Sequence, residues 1–282
     1  MWRINEFNKW NDNGRPINES IIVLNMTQSN IQILGNLKNL TNLKKLSCRC
    51  NRLTSLEGIE NLINLEYLHC GENQLTSLKG IENLINLKFL YCIDNKLTSL
   101  EGIENLINLQ QLDCCNNQLT SLEEMKNLVN LGDLNCSSNQ LTSLEEIQNL
   151  VNLEILSCYD NQLTSLERIE NLVNLQKLFC GSNQLKSLEG IENLVNLKDL
   201  NCCYNKLVLL EGIENLVNLI KNNKKIIKGL YYNFADFGDY IELNDLFVNL
   251  IKCKNDDKIN EYIEKIEQMI IKLNGFSKYV LK

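Results

Sequence analysis

From residue 43 onward the apolar positions of the chain fall two and three residues apart, and the whole spacing recurs every 22 residues. The first unit places Leu43, Leu46, Cys48, Asn51, Leu53, Leu56, Ile59 and Leu62; the last places Leu197, Leu200, Cys202, Asn205, Leu207, Leu210, Ile213 and Leu216. Eight copies cover 43–218 in unbroken register, with Cys48, Cys70, Cys92, Cys114, Cys136, Cys158, Cys180 and Cys202 marking the beat. A worn copy precedes them: Ile21, Leu24, Met26, Ile31, Leu34, Leu37 and Leu40 fill the same apolar slots, and Ser29 stands where asparagine is expected. A fixed period of this length is the signature of a stacked array, whose end units differ because they must seal the stack.

Within one unit, Leu46 and Cys48 are two apart, which turns both to one face of a strand. Leu53, Leu56, Ile59 and Leu62 are three apart, a spacing that fits a 3₁₀-like return better than an α-helix. Thr54-Ser55-Leu56-Glu57 has capping-box spacing at the start of that return, although Lys79 breaks the box in the second copy. One strand with one tight return cannot bury its own leucines, so the units must stack. At ~4.8 Å between neighbouring strands, nine units span about 40 Å. Asn51 and its equivalents through Asn205 recur where the turn leaves backbone groups unpaired, and a carboxamide carries both donors and an acceptor for them. They are expected to form an inner, structural ladder.

The L-x-x-L-x-C-x-x-N-x-L block resembles the leucine-rich-repeat family, and the resemblance covers about residues 21–218. The 22-residue period is similar to the short-repeat class of intracellular phosphatase regulators and bacterial internalins. The near-identical copies, rich in Asn, Ile and Lys and carrying a cysteine slot, also resemble leucine-rich-repeat proteins of giant DNA viruses. The resemblance implies an α/β solenoid: a curved array with a parallel sheet on the concave face, 3₁₀ and turn segments on the convex face, and partner proteins bound in the concavity.

The two ends read differently from the repeats. Residues 1–20 are too few for a domain, and Trp2, Phe7 and Trp10 are expected to cover the open edge of the first repeat, where leucines and unpaired strand groups would otherwise meet water. After Leu219 the pattern fails and a basic stretch follows (Lys221, Lys224, Lys225, Lys228). Leu243, Leu246, Phe247, Leu250 and Ile251 form one amphipathic face; Ile259, Ile263, Ile266, Met269, Ile270 and Leu273 form another, which Asn274-Gly275 is expected to end. With Tyr231, Tyr232, Phe234, Phe237 and Tyr240 these suit a helical cap. The expected organisation is a cap segment over 1–20, the solenoid over 21–218, and a helical C-terminal cap over 219–282.

A formal charge of −7 makes the chain a poor electrostatic partner for nucleic acid or anionic lipid, so neither is expected to bind. No secretory signal is legible at the start and no run of about 18 apolar residues occurs, so the reading is a monomeric, cytoplasmic protein without a membrane span. Of the 12 cysteines, eight occupy the slot where the family usually has leucine. One whole repeat between each and the next makes a buried column, not a metal cluster, and free cysteine packs as a small hydrophobe. Cys50, Cys115, Cys203 and Cys253 lie outside that column, the first three at strand-face positions.

The frame and the outer arc are almost fixed, while five positions differ from copy to copy: the non-core strand residues and those just after. All six aromatic residues within 21–218 (Tyr67, Phe89, Tyr91, Tyr159, Phe179 and Tyr204) lie there, and so does the single histidine, His69. Drift after duplication would also have scattered aromatics over the outer arc, which instead repeats Asn61-Leu62-Ile63-Asn64 almost word for word and carries an acidic row through Glu57, Glu101, Glu123, Glu145, Glu167, Glu189 and Glu211. Strand propensity explains part of the bias, but exposed aromatics are also what a contact surface needs. Tyr67, His69, Phe89 and Tyr91 are expected to form one patch, and Tyr159, Phe179 and Tyr204 a sparser second one. With one histidine, no phosphate-binding loop and no nucleophile or metal motif, catalysis is not expected, nor any cofactor. The function expected is a non-catalytic scaffold that binds a protein on its concave face. The alternatives are a passive structural or virion-associated repeat protein, or a regulatory subunit of a phosphatase or ubiquitin ligase.

Overall fold

The computed structural model describes residues 1–207, 214–219, 229–231, 245, 246, 248–250 and 256–280. Each repeat contributes one three-residue strand: β1 (Val23–Asn25), β2 (Lys45–Ser47), β3 (Tyr67–His69), β4 (Phe89–Tyr91), β5 (Gln111–Asp113), β6 (Asp133–Asn135), β7 (Ile155–Ser157), β8 (Lys177–Phe179) and β9 (Asp199–Asn201). A further strand, β10 (Gly229–Tyr231), follows β9 in the same parallel sheet. From β1 to β9 the register advances by one whole repeat at every step, so Leu46 lies opposite Leu68 and Leu68 opposite Leu90. Equivalent residues therefore form straight rows across the sheet. The central leucine of each of these nine strands is buried and its two neighbours face outward.

Strand, return and flank leucines merge into one continuous core together with the cysteine column, all eight of whose members are fully buried. The thiols of Cys70, Cys114 and Cys136 lie 3.6, 3.4 and 3.4 Å from the carbonyl oxygens of Tyr91, Asn135 and Ser157 on the next strand. Burial pushes their pKa values up, to about 12 for Cys70 and Cys136, so they are protonated donors.

The asparagine ladder closes the backbone accounting on the far side of each strand. Asn139 is typical: its Nδ2 donates to the carbonyls of Cys114, Cys136 and Ser137 at 3.1, 3.1 and 3.0 Å, and its Oδ1 accepts the Leu119 N–H at 2.9 Å. Asn117, Asn139, Asn161 and Asn183 are buried, which a carboxamide tolerates only when its hydrogen-bonding capacity is used. In the worn first repeat, Asn51 bonds the N–H groups of Ser29 and Ile31, so Ser29 needs no ladder of its own.

The returns are tight turns. In Glu123–Met125, Glu145–Ile147, Ile169–Asn171 and Ile191–Asn193 they are single 3₁₀ turns. Where the described returns read Gly-Ile-Glu, the glycine sits at positive φ (103, 109, 106 and 97° at Gly58, Gly80, Gly102 and Gly190), and its N–H is held by the glutamate two residues on. A Cβ at Gly58 would lie 2.0 Å from the Gly35 carbonyl oxygen, so no other residue fits there. Arg168 stands in the glycine's place at φ 72°, a left-handed conformation that a side chain disfavours. The capping residue differs from the expectation. The serine one position after the threonine does the work, its hydroxyl accepting the N–H two residues on in Ser77, Ser121 and Ser143. Among the described residues no hydrogen bond joins the threonine and glutamate of that spacing.

At the N-terminal end Trp2 extends the sheet beyond β1. Its N–H donates to the Val23 carbonyl at 2.8 Å and its carbonyl accepts the Asn25 N–H at 2.9 Å. Helix α1 (Ile4–Asp12) then lays Phe7 and Trp10 into the core, with the Trp10 indole donating to the Pro16 carbonyl at 2.8 Å. Towards the other end, helix α2 (Asp256–Val280) buries Ile263, Ile266 and Ile270. It runs through Asn274-Gly275 instead of ending there. Leu250 is buried too. The basic stretch Lys221–Lys228, the aromatics Tyr232, Phe234, Phe237 and Tyr240, and the residues Leu243, Phe247, Ile251 and Cys253 lie outside the described residues. No helix among the described residues is long and apolar enough to cross a membrane.

Candidate functional site

Three-residue strands with an inward leucine leave two outward rows on the sheet. One runs Lys45, Tyr67, Phe89, Gln111, Asp133, Ile155, Lys177, Asp199; the other runs Ser47, His69, Tyr91, Asp113, Asn135, Ser157, Phe179, Asn201. Beyond the cysteine, the chain leaves the sheet through a left-handed residue in every full repeat, at φ between 51 and 56° (Cys50, Glu72, Asp94, Asn116, Ser138, Asp160, Ser182, Tyr204). Aspartate, asparagine and serine dominate this row. Aspartate and asparagine are the non-glycine residues that tolerate the left-handed region best.

The first expected patch is assembled. Tyr67 faces Phe89 and His69 faces Tyr91 across the β3–β4 register. The Tyr67 and Tyr91 ring centroids are 5.4 Å apart, His69 and Tyr91 also 5.4 Å, and Tyr67 and Phe89 6.4 Å, all tilted. These are attractive geometries that hold the rings upright at low entropic cost. All four residues are half-buried against one another. Burial pushes the Tyr67 and Tyr91 hydroxyls up in pKa, and burial first, then the nearby Arg49, pulls His69 below its usual value. The imidazole is therefore neutral at pH 7, and its Nδ1 accepts the Gly71 N–H at 3.3 Å.

The second patch is not assembled. Phe179 is on β8, but Tyr159 follows the strand residue Cys158 and its ring lies over Gly181, where a Cβ would come within 3.1 Å of it. Tyr204 sits on the left-handed turn and is 69% exposed. No ring contact joins these three among the described residues.

A polar relay extends the first patch. The Tyr91 hydroxyl donates to Gln111 Oε1 at 2.8 Å, and Gln111 Nε2 donates to Asp133 Oδ2 at 2.9 Å. Asp113 lies directly across from Tyr91, and its Oδ1 accepts the Cys115 N–H at 3.1 Å. Burial, and then Asp113, raise the Asp133 pKa. Sequence reasoning placed Gln111, Asp113 and Asp133 on the variable rows but not in the site. The available signal was their register one and two strands from the rings. At the other edge Arg49 pairs with Glu72, and Cys50 donates its thiol to Glu72 at 2.7 Å.

Cys50, Cys115 and Cys203, which lie outside the column, are half-buried with pKa values pushed up: at Cys50 by the Glu72 hydrogen bond, at Cys115 by burial and Asp113 to about 12, and at Cys203 by burial. No group of three or more potential metal ligands is found among the described residues.

A family model described as leucine-rich repeats in two copies matches residues 63–105, 85–127, 107–149 and 151–193. The chain folds as a leucine-rich-repeat solenoid, with repeats of this family over 63–149 and 151–193. Solved internalin-type structures share its fold. Internalin C2 of Listeria monocytogenes is 27% identical over 70% of this chain and 83% of its own, with a TM-score of 0.62. The functional domain of the Listeria monocytogenes internalin InlJ, described as including a cysteine ladder, is 27% identical over 77% of this chain and 44% of its own, at 0.63. A leucine-rich-repeat protein of Leptospira interrogans is 29% identical over 77% of this chain and 61% of its own, at 0.62. No curated protein matches the chain by sequence. Leucine-rich-repeat arrays of this internalin-like form are typically protein-interaction scaffolds, and the rows just described are the surface on which this one differs from repeat to repeat.

Proposed function

We propose that this leucine-rich-repeat protein is a non-catalytic scaffold in a reducing, cytoplasmic setting, and that a protein partner docks on the concave strand face over Tyr67, His69, Phe89 and Tyr91. Phe179, Tyr159 and Tyr204 act further along as separate contacts. The observation that carries this reading is positional. The frame and the outer arc repeat almost unchanged, while every aromatic of the repeats stands on the strand side, and four rings from two adjacent strands pack into one cluster. Preformed aromatic clusters lose little entropy on binding and dominate interface energetics.

The test is site-specific photocrosslinking from position 69 or 91, with position 107 on the outer arc as control, in the full chain. A partner crosslinked from the strand face and not from the arc supports the reading. Tyr67→Ala, Phe89→Ala and Tyr91→Ala together should then weaken that partner's binding by about 100-fold or more, in a variant that circular dichroism shows to be still folded. Crosslinks from the arc alone, or unaltered affinity in the triple variant, sink it.

A further inference from the structure

The rings stand beside a concentration of negative charge. Over the strand-face segments 67–72, 89–94, 111–116 and 133–138 there are four carboxylates (Glu72, Asp94, Asp113 and Asp133) and no lysine or arginine. Glu72 is taken by Arg49 and Cys50, and the Asp94 carboxylate accepts the Asn116 side chain. Asp113 and Asp133 remain. They lie on adjacent strands, and among the described residues neither forms an ion pair. Asp113 raises the electrostatic cost of ionising Asp133, and Lys177, two strands beyond Asp133, acts on it only at a distance.

We propose that the partner presents an arginine or lysine side chain of a basic segment between the Tyr67–Phe89–Tyr91 rings and the Asp113–Asp133 carboxylates. This rests on the strand-face reading above and adds the partner's chemistry to it. The geometry suits a cation in three ways. Tyr91 and Asp113 are cross-strand neighbours, at a strand spacing of ~4.8 Å, so one guanidinium can lie on the ring and reach the carboxylate together. The Tyr91–Gln111–Asp133 relay ties the ring and the second carboxylate into one hydrogen-bonded row, so both are already oriented. A neutral or acidic partner would bury two like charges without compensation, which selects against it.

The test is a displayed random 12-residue peptide library selected on the full chain, with every clone rescored on two variants. One is Asp113→Asn with Asp133→Asn; the other is the triple alanine change at Tyr67, Phe89 and Tyr91. The asparagine pair is expected to fold, because Asn135 and Asn201 already make the Asp113-type bond to the N–H two residues on, and an amide oxygen can still accept from Gln111. The expected result is clones sharing an arginine or lysine whose binding falls about 10-fold or more in the asparagine pair, the size of one lost charge-assisted hydrogen bond, and falls further in the alanine triple. Selected clones without basic residues, basic clones indifferent to the asparagine pair, or no selected clone at all would overturn the cation. Clones that need the rings but not the carboxylates leave the strand-face reading standing; clones that ignore the rings remove both.

Discussion

Replacing Asn139 by alanine isolates what the asparagine ladder contributes. The side chain makes four hydrogen bonds, but the groups it leaves behind are not equal. The Cys114 carbonyl keeps Asn117 Nδ2 at 3.1 Å, the Cys136 carbonyl keeps Asn161 Nδ2 at 3.1 Å, and the Ser137 carbonyl keeps the Asn116 N–H at 2.9 Å. Only the Leu119 N–H is orphaned, and its neighbourhood is buried. An orphaned buried donor costs about 1–3 kcal/mol, and three carbonyls reduced from two donors to one add a few tenths each, so the expected loss is about 3 kcal/mol. Urea unfolding followed by circular dichroism reads the total. Amide hydrogen exchange reads the mechanism, since Leu119 should lose protection while the ladder positions two repeats away do not. The control is Asn108→Ala, whose exposed side chain donates one bond to the Ile85 carbonyl at 2.9 Å and should cost under about 1 kcal/mol. Equal effects from the two variants, or a loss below about 1 kcal/mol at Asn139, would refute the accounting.

Other outcomes follow from the same geometry. Arg168→Gly should raise stability by up to about 1 kcal/mol, because the left-handed strain removed slightly exceeds the added freedom of the unfolded chain; a lower melting temperature would contradict it. Leu134→Ala should cost about 2–5 kcal/mol, since its side chain is fully buried between Leu112 and Leu156 of the neighbouring strands, and calorimetry would register that loss. The eight column thiols should resist a thiol reagent until the chain unfolds, with counted labelling in native and denatured protein as the check. Their folded pKa values lie above the ordinary thiol value near 9, to about 12 at Cys70 and Cys136, so the unfolded chain releases protons first as pH rises. Stability is therefore complete below pH ~9 and declines above it. Alanine at several column positions should flatten that alkaline decline, and an unchanged pH profile would exclude the thiols as its cause.

Legibility differed between the frame and the surface. Leu46, Cys48, Asn51 and their copies were readable because a repeated slot meets the same neighbours above and below, so period alone assigns its burial and partner. The aromatic cluster was half readable. Same-face spacing brought Tyr67, His69, Phe89 and Tyr91 together, yet the same reasoning grouped Tyr159, Phe179 and Tyr204, which the backbone separates. The left-handed residue after each strand turns Tyr204 out of the row, and no apolar period reports a dihedral. The capping serine was missed for a related reason: threonine and glutamate have the familiar spacing, but the N–H at Lys79, Glu123 and Glu145 is taken by the serine two residues before it.

What the sequence by itself determined is the one-dimensional part of the fold: the strand of each repeat and, over the described residues, its return, the leucine and cysteine columns, and the row on which variation falls. These are local or nearest-neighbour properties, and a 22-residue period encodes them directly. Only the tertiary structure decided which variable residues meet. Whether Tyr91 reaches Gln111, whether Gln111 reaches Asp133, and whether Asp113 is left without a cation depend on side-chain directions across strands from three different repeats. No single unit specifies those, because each contact belongs to the stack.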